Sequence, residues 1–270
     1  METIELRNIK KPGYTLTESL RTLKTNIQFC GDDIKTILLT SSIPNEGKST
    51  VSFELARSLT ESGKKVLLID TDMRKSVLIG RLGAVLPEKG EIYGLSHYLS
   101  GQKKLSDVLY VTQIPKLFMI FAGPSVPNPT EILEKRYFAE LIAFAKEQFD
   151  YVLIDCAPIG AAIDAAVVAK HCDGAILVIA QGMAGSRMIM ETKEQLEASK
   201  EETGEEETKA EETKAEETKT EETKAAERKA EEAAGKTAEP AAEVAKDKGT
   251  DAEAEPQEPE NKSALSAQEE

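Results

Sequence analysis

Ser41-Ser42-Ile43-Pro44-Asn45-Glu46-Gly47-Lys48-Ser49-Thr50 is the stretch that decides the fold. An apolar run of strand length, Lys35 to Ser41 (KTILLTS), leads into it, and a helix-forming stretch, Ser49 to Ser62, follows. Strand, loop and helix in that order are the context a phosphate-binding loop requires. Gly47-Lys48-Ser49 is its informative part. Backbone N–H groups of the loop and of the helix N-terminus would cradle phosphates, Lys48 would neutralise the β and γ oxygens, and the Ser49 hydroxyl would ligate Mg²⁺. The nucleotide-binding set is therefore Ser42, Pro44, Asn45, Glu46, Gly47, Lys48, Ser49 and Thr50. Ser42 stands where the full GxxxxGK[ST] pattern has its first glycine. Asn45 suits a loop that needs positive φ, because Asn enters the left-handed region more readily than most residues.

Outward from the loop, apolar runs of strand length recur: Lys65 to Asp70 (KVLLID), Leu117 to Phe121 (LFMIF), Tyr151 to Asp155 (YVLID) and Gly174 to Ile179 (GAILVI). Their hydrophobicity is continuous rather than alternating, the mark of strands buried on both faces in a parallel sheet covered by helices. Helical stretches lie between them at Thr130 to Gln148, Ala161 to His171 and Ser186 to Ser199. The βαβα order predicts an α/β fold with a doubly wound, mostly parallel sheet of the P-loop type. Ligands in such sheets sit beyond the carboxyl ends of the strands, and those ends are acidic here. One run finishes in Asp70-Thr71-Asp72-Met73-Arg74, another in Asp155, the position of a Walker B acid. Three carboxylates converging beside Lys48 would repel one another unless Mg²⁺ and a nucleotide compensate them.

Charge divides the chain. Residues 1–200 carry 24 Lys and Arg against 24 Asp and Glu, whereas residues 201–270 carry 10 against 24, so the whole net charge of −14 lies in the last 70 residues. That segment contains no aromatic, Cys, Met or Ile, and Val244 and Leu265 are its only large aliphatics. It cannot bury enough apolar surface to offset the entropy of ordering. Its EETKA-type pentad, repeated from Glu206 through Ala225, advances a helix by about 140° beyond a full turn and so builds no continuous apolar stripe. A disordered or single-helix acidic tail is expected over 201–270. Residues 35–200 then form the nucleotide-binding domain, and residues 1–34 an N-terminal helical segment. No run of 18 apolar residues and no basic-then-apolar leader is present, which predicts a cytoplasmic chain. Cys30, Cys156 and Cys172 form no metal-ligand pattern and read as buried small hydrophobes. A neutral core with an acidic tail offers no basic stripe for nucleic acid.

SSIPNEGKST, LLIDTDMR and YVLIDCAP, in this order and spacing, resemble the Walker A, A′ and B motifs of bacterial tyrosine kinases (BY-kinases) of the CpsD/CapB type. Gly123 to Leu133 (GPSVPNPTEIL) is similar to that family's proline-rich loop, and Glu18 to Asn26 (ESLRTLKTN) to its E-x-x-R-x-x-R oligomerisation motif, with Lys24 in place of the last Arg. The resemblance implies an ATP- and Mg²⁺-dependent protein-tyrosine kinase that regulates capsular or exopolysaccharide synthesis. Lys48, Asp70 and Asp72 would be its catalytic residues, the two acids sharing metal positioning and activation of the tyrosine hydroxyl, and Ser49, Asp70 and Asp155 would be its metal set. Glu18, Arg21 and Lys24 would join copies into a ring, and a transmembrane polysaccharide co-polymerase-type adaptor would recruit the kinase to the inner face of the membrane. Protein tyrosines would be its substrates.

Two features depart from the family. No buried strand follows Ser199, which leaves a sheet edge open, and all six tyrosines (Tyr14, Tyr93, Tyr98, Tyr110, Tyr137, Tyr151) lie at or before position 151. Two alternatives therefore stand beside the kinase: an ATP-binding regulator without autokinase output, and a partitioning or division-site ATPase. The last usually has a second lysine early in its P-loop, where this chain has Ser41, Ser42 and Ile43. Tyr93 and Tyr98 read as packing residues or acceptors, His97 and His171 as core or capping residues, and Ser125 to Pro129 as a rigid turn or a substrate-facing loop.

Overall fold

The computed structural model describes residues 1–88, 90–160 and 163–199. The expected acidic tail lies outside the described residues. In chain order the elements are β1 (Thr3–Leu6), α1 (Tyr14–Phe29), β2 (Thr36–Ser41), α2 (Lys48–Glu61), β3 (Val66–Asp70), α3 (Leu78–Leu82), β4 (Ala84–Val85) and α4 (Leu95–Leu99). They continue with α5 (Leu105–Val108), β5 (Tyr110–Thr112), β6 (Leu117–Ile120), α6 (Pro129–Leu133), α7 (Arg136–Gln148), β7 (Tyr151–Asp155), α8 (Asp164–Ala169) and β8 (Gly174–Val178). Residues 186–199 are helical.

One eight-stranded sheet runs β4-β1-β5-β6-β3-β7-β2-β8. Its five strands from β6 to β8 are mutually parallel, and only the β1–β4 and β5–β6 pairs are antiparallel. The continuous apolar runs are explained by two cores, one on each face. Leu38, Leu67, Ile69, Val152 and Ile154 point to the side covered by α7 and α8. Ile37, Leu39, Leu68 and Leu153 point to the side covered by α1 and α2. Successive side chains alternate between faces, so a strand buried on both must be apolar at every position. Each fully buried Leu or Ile contributes about 1.5–3 kcal/mol.

The glycine after α2 stops that helix. Gly63 adopts φ +83°, its N–H bonds to Thr60 O (2.8 Å) and the Lys64 N–H to Leu59 O (3.2 Å), the paired bonds of a Schellman ending. Lys24 of α1 adds its ammonium to the same end, donating to Ser58 O (2.9 Å) and Ser62 Oγ (2.8 Å), and Leu20 and Ile27 are the residues α1 buries in the core.

Three elements differ from expectation. The stretch 130–148 is two helices, because Lys135 is extended (φ −71°, ψ 149°). The break lets α6 pack on α8 while α7 turns Phe138, Leu141, Ile142 and Ala145 into the core beside β7. The N-terminal segment supplies a strand as well as a helix, since β1 places Ile4 and Leu6 in the core and pairs with β4 and β5. Finally, β8 is the outermost strand of the described sheet and is only partly buried, so its apolar run does not report burial on both faces.

Candidate active site

Parallel pairing of β3, β7 and β2 brings their carboxyl ends together, with Asp70 directly opposite Asp155. The loop after β2 curls over this edge and enters α2 through Gly47 at φ +93°, with Asn45 at φ +69°. Asn45 therefore occupies the left-handed conformation expected of it. The N–H groups of Thr50 and Val51 already bond to Gly47 O. Ser42 needs no glycine, because its backbone is not left-handed; its side chain is buried, and its carbonyl lies 2.4 Å from where a Cβ on Gly160 would sit. Position 160 is thus the one that demands glycine.

Glu46 turns inward. Its carboxylate is buried and accepts the Ile43 N–H (3.0 Å) within the loop and the Ala180 N–H (3.2 Å) beyond β8. What Glu46 can offer a phosphate is its backbone, while its side chain fixes the shape of the loop.

Lys48 opens α2 and pairs with Asp72 Oδ2 at 3.2 Å, both side chains being nearly buried. The other Asp72 oxygen accepts the Lys75 N–H (2.9 Å). Asp70 lies deeper, accepting the Asp72 N–H (3.0 Å) and the Ser76 hydroxyl. Burial, reinforced by Asp155, pushes its carboxyl up to about 8. Burial also raises Asp155, opposed by Lys48 and by the hydroxyls of Ser49 and Ser52, the latter 3.1 Å from Oδ1. The Asp155 carbonyl accepts both the N–H (2.8 Å) and the hydroxyl (3.0 Å) of Thr71. The Walker A′ strand end is thus latched to the Walker B strand.

A cavity of about 240 Å³ opens above these groups, lined in part by Asn45, Gly47, Lys48, Ser49, Asp72 and Arg74. Of the residues expected at the nucleotide, Pro44 also lines it, whereas Ser42, Glu46 and Thr50 do not. Asp70 and Asp155 are buried and do not line it; they connect to its lining through Asp72, whose N–H bonds to Asp70, and through Lys48 and Ser49, which act on Asp155. Residues not singled out in the sequence complete the wall: Lys75, Val77, Arg81, Ala157 and Pro158. Among the described residues no group of three His, Cys, Asp or Glu side chains encloses a metal. The donors present are a hydroxyl and carboxylates, which suits Mg²⁺, an ion usually bound through one or two carboxylates plus phosphate and water.

Arg74 reaches back to Asp164 at the start of α8, with Nε–Oδ2 at 2.7 Å and Nη2–Oδ1 at 3.0 Å, and Thr130 donates to the same fully buried carboxylate. The Val126 N–H bonds to Met73 O (3.3 Å), so the proline-rich loop is seated against the Walker A′ end. Asp164 had no signal beyond being an acid at the start of an apolar helix.

Elsewhere, Glu18 and Arg21 bridge each other on the exposed face of α1 (2.7 Å), while Lys24 is engaged within the chain as described. Cys156 and Cys172 are buried and burial raises the Cys156 thiol to about 12, but Cys30 is exposed, contrary to expectation, at the C-cap of α1 next to the exposed Phe29. His97 Nδ1 accepts the Gly94 N–H (3.1 Å) and caps α4, and His171 packs edge-on to Phe138. Among the tyrosines, Tyr110 is buried, Tyr14 and Tyr137 are exposed, and Tyr93, Tyr98 and Tyr151 are half-buried.

A doubly wound parallel sheet with this loop and these strand-end acids defines a P-loop nucleotide-binding domain of the Walker A, A′ and B type. The AAA domain family model matches residues 35–203. Tyrosine-protein kinase CpsD of Streptococcus agalactiae serotype III (strain NEM316) is 43% identical over 195 residues, covering 72% of this chain and 81% of that one. CpsD of Streptococcus pneumoniae is 43% identical over 198 residues, covering 73% and 86%. The kinase domain of Escherichia coli tyrosine kinase ETK superposes with a TM-score of 0.62 at 29% identity, covering 68% of this chain and 71% of that one. The chain belongs to the CpsD-type bacterial tyrosine-protein kinases within the AAA domain family. Among the described residues no helix is long and apolar enough to cross a membrane.

Proposed function

We propose that the chain transfers the γ-phosphoryl group of ATP to protein tyrosine hydroxyls, regulating capsular or exopolysaccharide synthesis. The observation that carries this reading is the Lys48–Asp72 pair on the wall of the cavity, beside the buried strand-end acids Asp70 and Asp155. Phosphoryl transfer depends mostly on positioning and charge neutralisation. The loop N–H groups from Asn45 onward would hold the phosphates. Lys48 would leave Asp72 for the β and γ oxygens, which frees the one acid that lines the cavity to accept the proton of the tyrosine hydroxyl. Asp70 is buried and bonded to Ser76, so we assign it, with Ser49 and Asp155, to the metal side. Bound Mg²⁺ would neutralise charge on the transferring phosphoryl group.

Further parts of the reading rest on family membership. A transmembrane polysaccharide co-polymerase-type adaptor would recruit the kinase to the inner face of the membrane. Glu18 and Arg21, exposed on α1, would join copies into a ring, with Lys24 holding α1 in place. The absence of any tyrosine after position 151 favours, as second reading, an ATP-binding regulator without autokinase output.

The test compares wild type with Asp72→Asn and Asp70→Asn for Mg²⁺·ATP binding and for labelling of a tyrosine peptide. Asp72→Asn should keep binding and lose labelling; Asp70→Asn should lose the Mg²⁺ dependence of binding. Undiminished labelling by Asp72→Asn would refute the assignment.

A further inference from the structure

Ser49 and Arg81 line two cavities at once. The second, about 820 Å³, lies against the first turns of α2 and is walled on its other side by residues 7–13 ahead of α1. It is far larger than one side chain requires and adjoins the nucleotide cavity at those two shared residues, beside the start of α2.

Its walls are unbalanced in charge. Lys10, Lys11 and Arg81 border it, and none of their side chains makes a hydrogen bond or ion pair among the described residues, whereas Arg7 is paired with Glu5. The one carboxylate on the wall, Glu54, is bound to Arg57 at 2.8 Å. Arg57 also donates to Lys10 O (2.9 Å), which fixes the basic segment to α2. Residues 1–200 balance to zero net charge, so Lys10, Lys11 and Arg81 on one cavity, against the single carboxylate of Glu54 that Arg57 already binds and Arg81 also attracts, are a local excess. Leu16, Phe53 and Leu82 add apolar surface between them. Cations around apolar walls fit a peptide that carries carboxylates and an aromatic ring better than a bare polyanion, which has no use for the apolar part.

We infer that this basic cavity docks the acceptor segment, a tyrosine-bearing peptide flanked by Asp or Glu, with its ring directed past Ser49 and Arg81 toward the transferring phosphate. The inference rests on the kinase reading above and adds its substrate class.

The test uses the full chain with Mg²⁺·ATP and two synthetic peptides of identical length, each with a single tyrosine, flanked in one by Glu and in the other by Gln. Wild type is compared with Lys10→Glu/Lys11→Glu, two exposed positions whose side chains hold nothing in the fold. Affinity for a fluorescent ATP analogue is measured alongside. In wild type the KM for the Glu peptide should lie about tenfold below that for the Gln peptide at similar kcat, and the gap should shrink in 0.5 M NaCl as the charges are screened. In the double variant the gap should vanish or reverse with nucleotide affinity unchanged. Equal KM values in wild type, or a preference that survives the double substitution, would overturn the docking site. If wild type binds nucleotide but labels neither peptide, the kinase reading fails and the docking site with it.

Discussion

Glu46 is the loop residue whose removal should separate the shape of the P-loop from its chemistry. Its carboxylate holds the N–H groups of Ile43 at 3.0 Å and Ala180 at 3.2 Å while buried. A hydrogen bond to a charged acceptor contributes about 1.5–3 kcal/mol, so two of them are worth about 3–6 kcal/mol gross. Alanine also removes the cost of keeping a carboxylate out of water and leaves a space that water can enter, which brings the expected loss for Glu46→Ala to about 3 kcal/mol. For a domain of this size that is roughly 6–12 °C in Tm. Glu46→Gln keeps one acceptor oxygen but turns an NH₂ toward the second N–H, so it should fall between the two. Because the same bonds hold the loop in its phosphate-cradling shape, ATP affinity should drop by about tenfold in Glu46→Ala, although the side chain touches no phosphate. Thermal unfolding without nucleotide, followed by titration with a fluorescent ATP analogue, reads both effects. A Glu46→Ala protein melting within 2 °C of wild type with unchanged affinity would refute the reasoning.

Lys48→Met should fold normally and lose at least about 10³-fold in phosphoryl transfer, since the charge it supplies acts mainly in the transition state; single-turnover assays read the loss. Asp70 binds its proton up to about pH 8 in the folded chain but only to about pH 4 unfolded. Between these values the folded state holds the extra proton, so this group's contribution is full below about pH 4 and is lost as pH rises toward 8. Metal-free wild type should therefore lose stability relative to Asp70→Asn over that window, and parallel denaturation profiles would contradict the buried, protonated state. Tyr110→Phe removes a hydroxyl that accepts the Tyr93 N–H (2.9 Å) and donates to Tyr93 O (3.1 Å), and should cost about 1–3 kcal/mol in urea unfolding. Lys24→Met should lower stability by about 1 kcal/mol by freeing the end of α2, while leaving sedimentation of the chain unchanged.

The parallel core of the sheet was legible because strands buried on both faces must be apolar throughout, and its carboxyl edge because Asp70 and Asp155 each end such a run, with Asp72 just past one and Lys48 at the end of the loop that follows another. The strands β4, β1 and β5 at one end of the sheet were not, being two to four residues long, too short to show a period. Side-chain direction was equally hidden. Nothing in the order of letters says that Glu46 folds back on its own loop, that Lys24 caps a neighbouring helix, or that Arg74 takes Asp164 as its partner from 90 residues away. Such pairs depend on which strand lies beside which, a property of the sheet rather than of any segment.

The most direct test of the central claim is Mg²⁺-dependent transfer of labelled γ-phosphate from ATP, with Lys48→Met as control, followed by mapping of phosphotyrosine on the chain and on an added tyrosine peptide. The account predicts label on tyrosine that disappears with Lys48. Nucleotide binding, or release of phosphate to water, with no tyrosine labelled on either acceptor would contradict it.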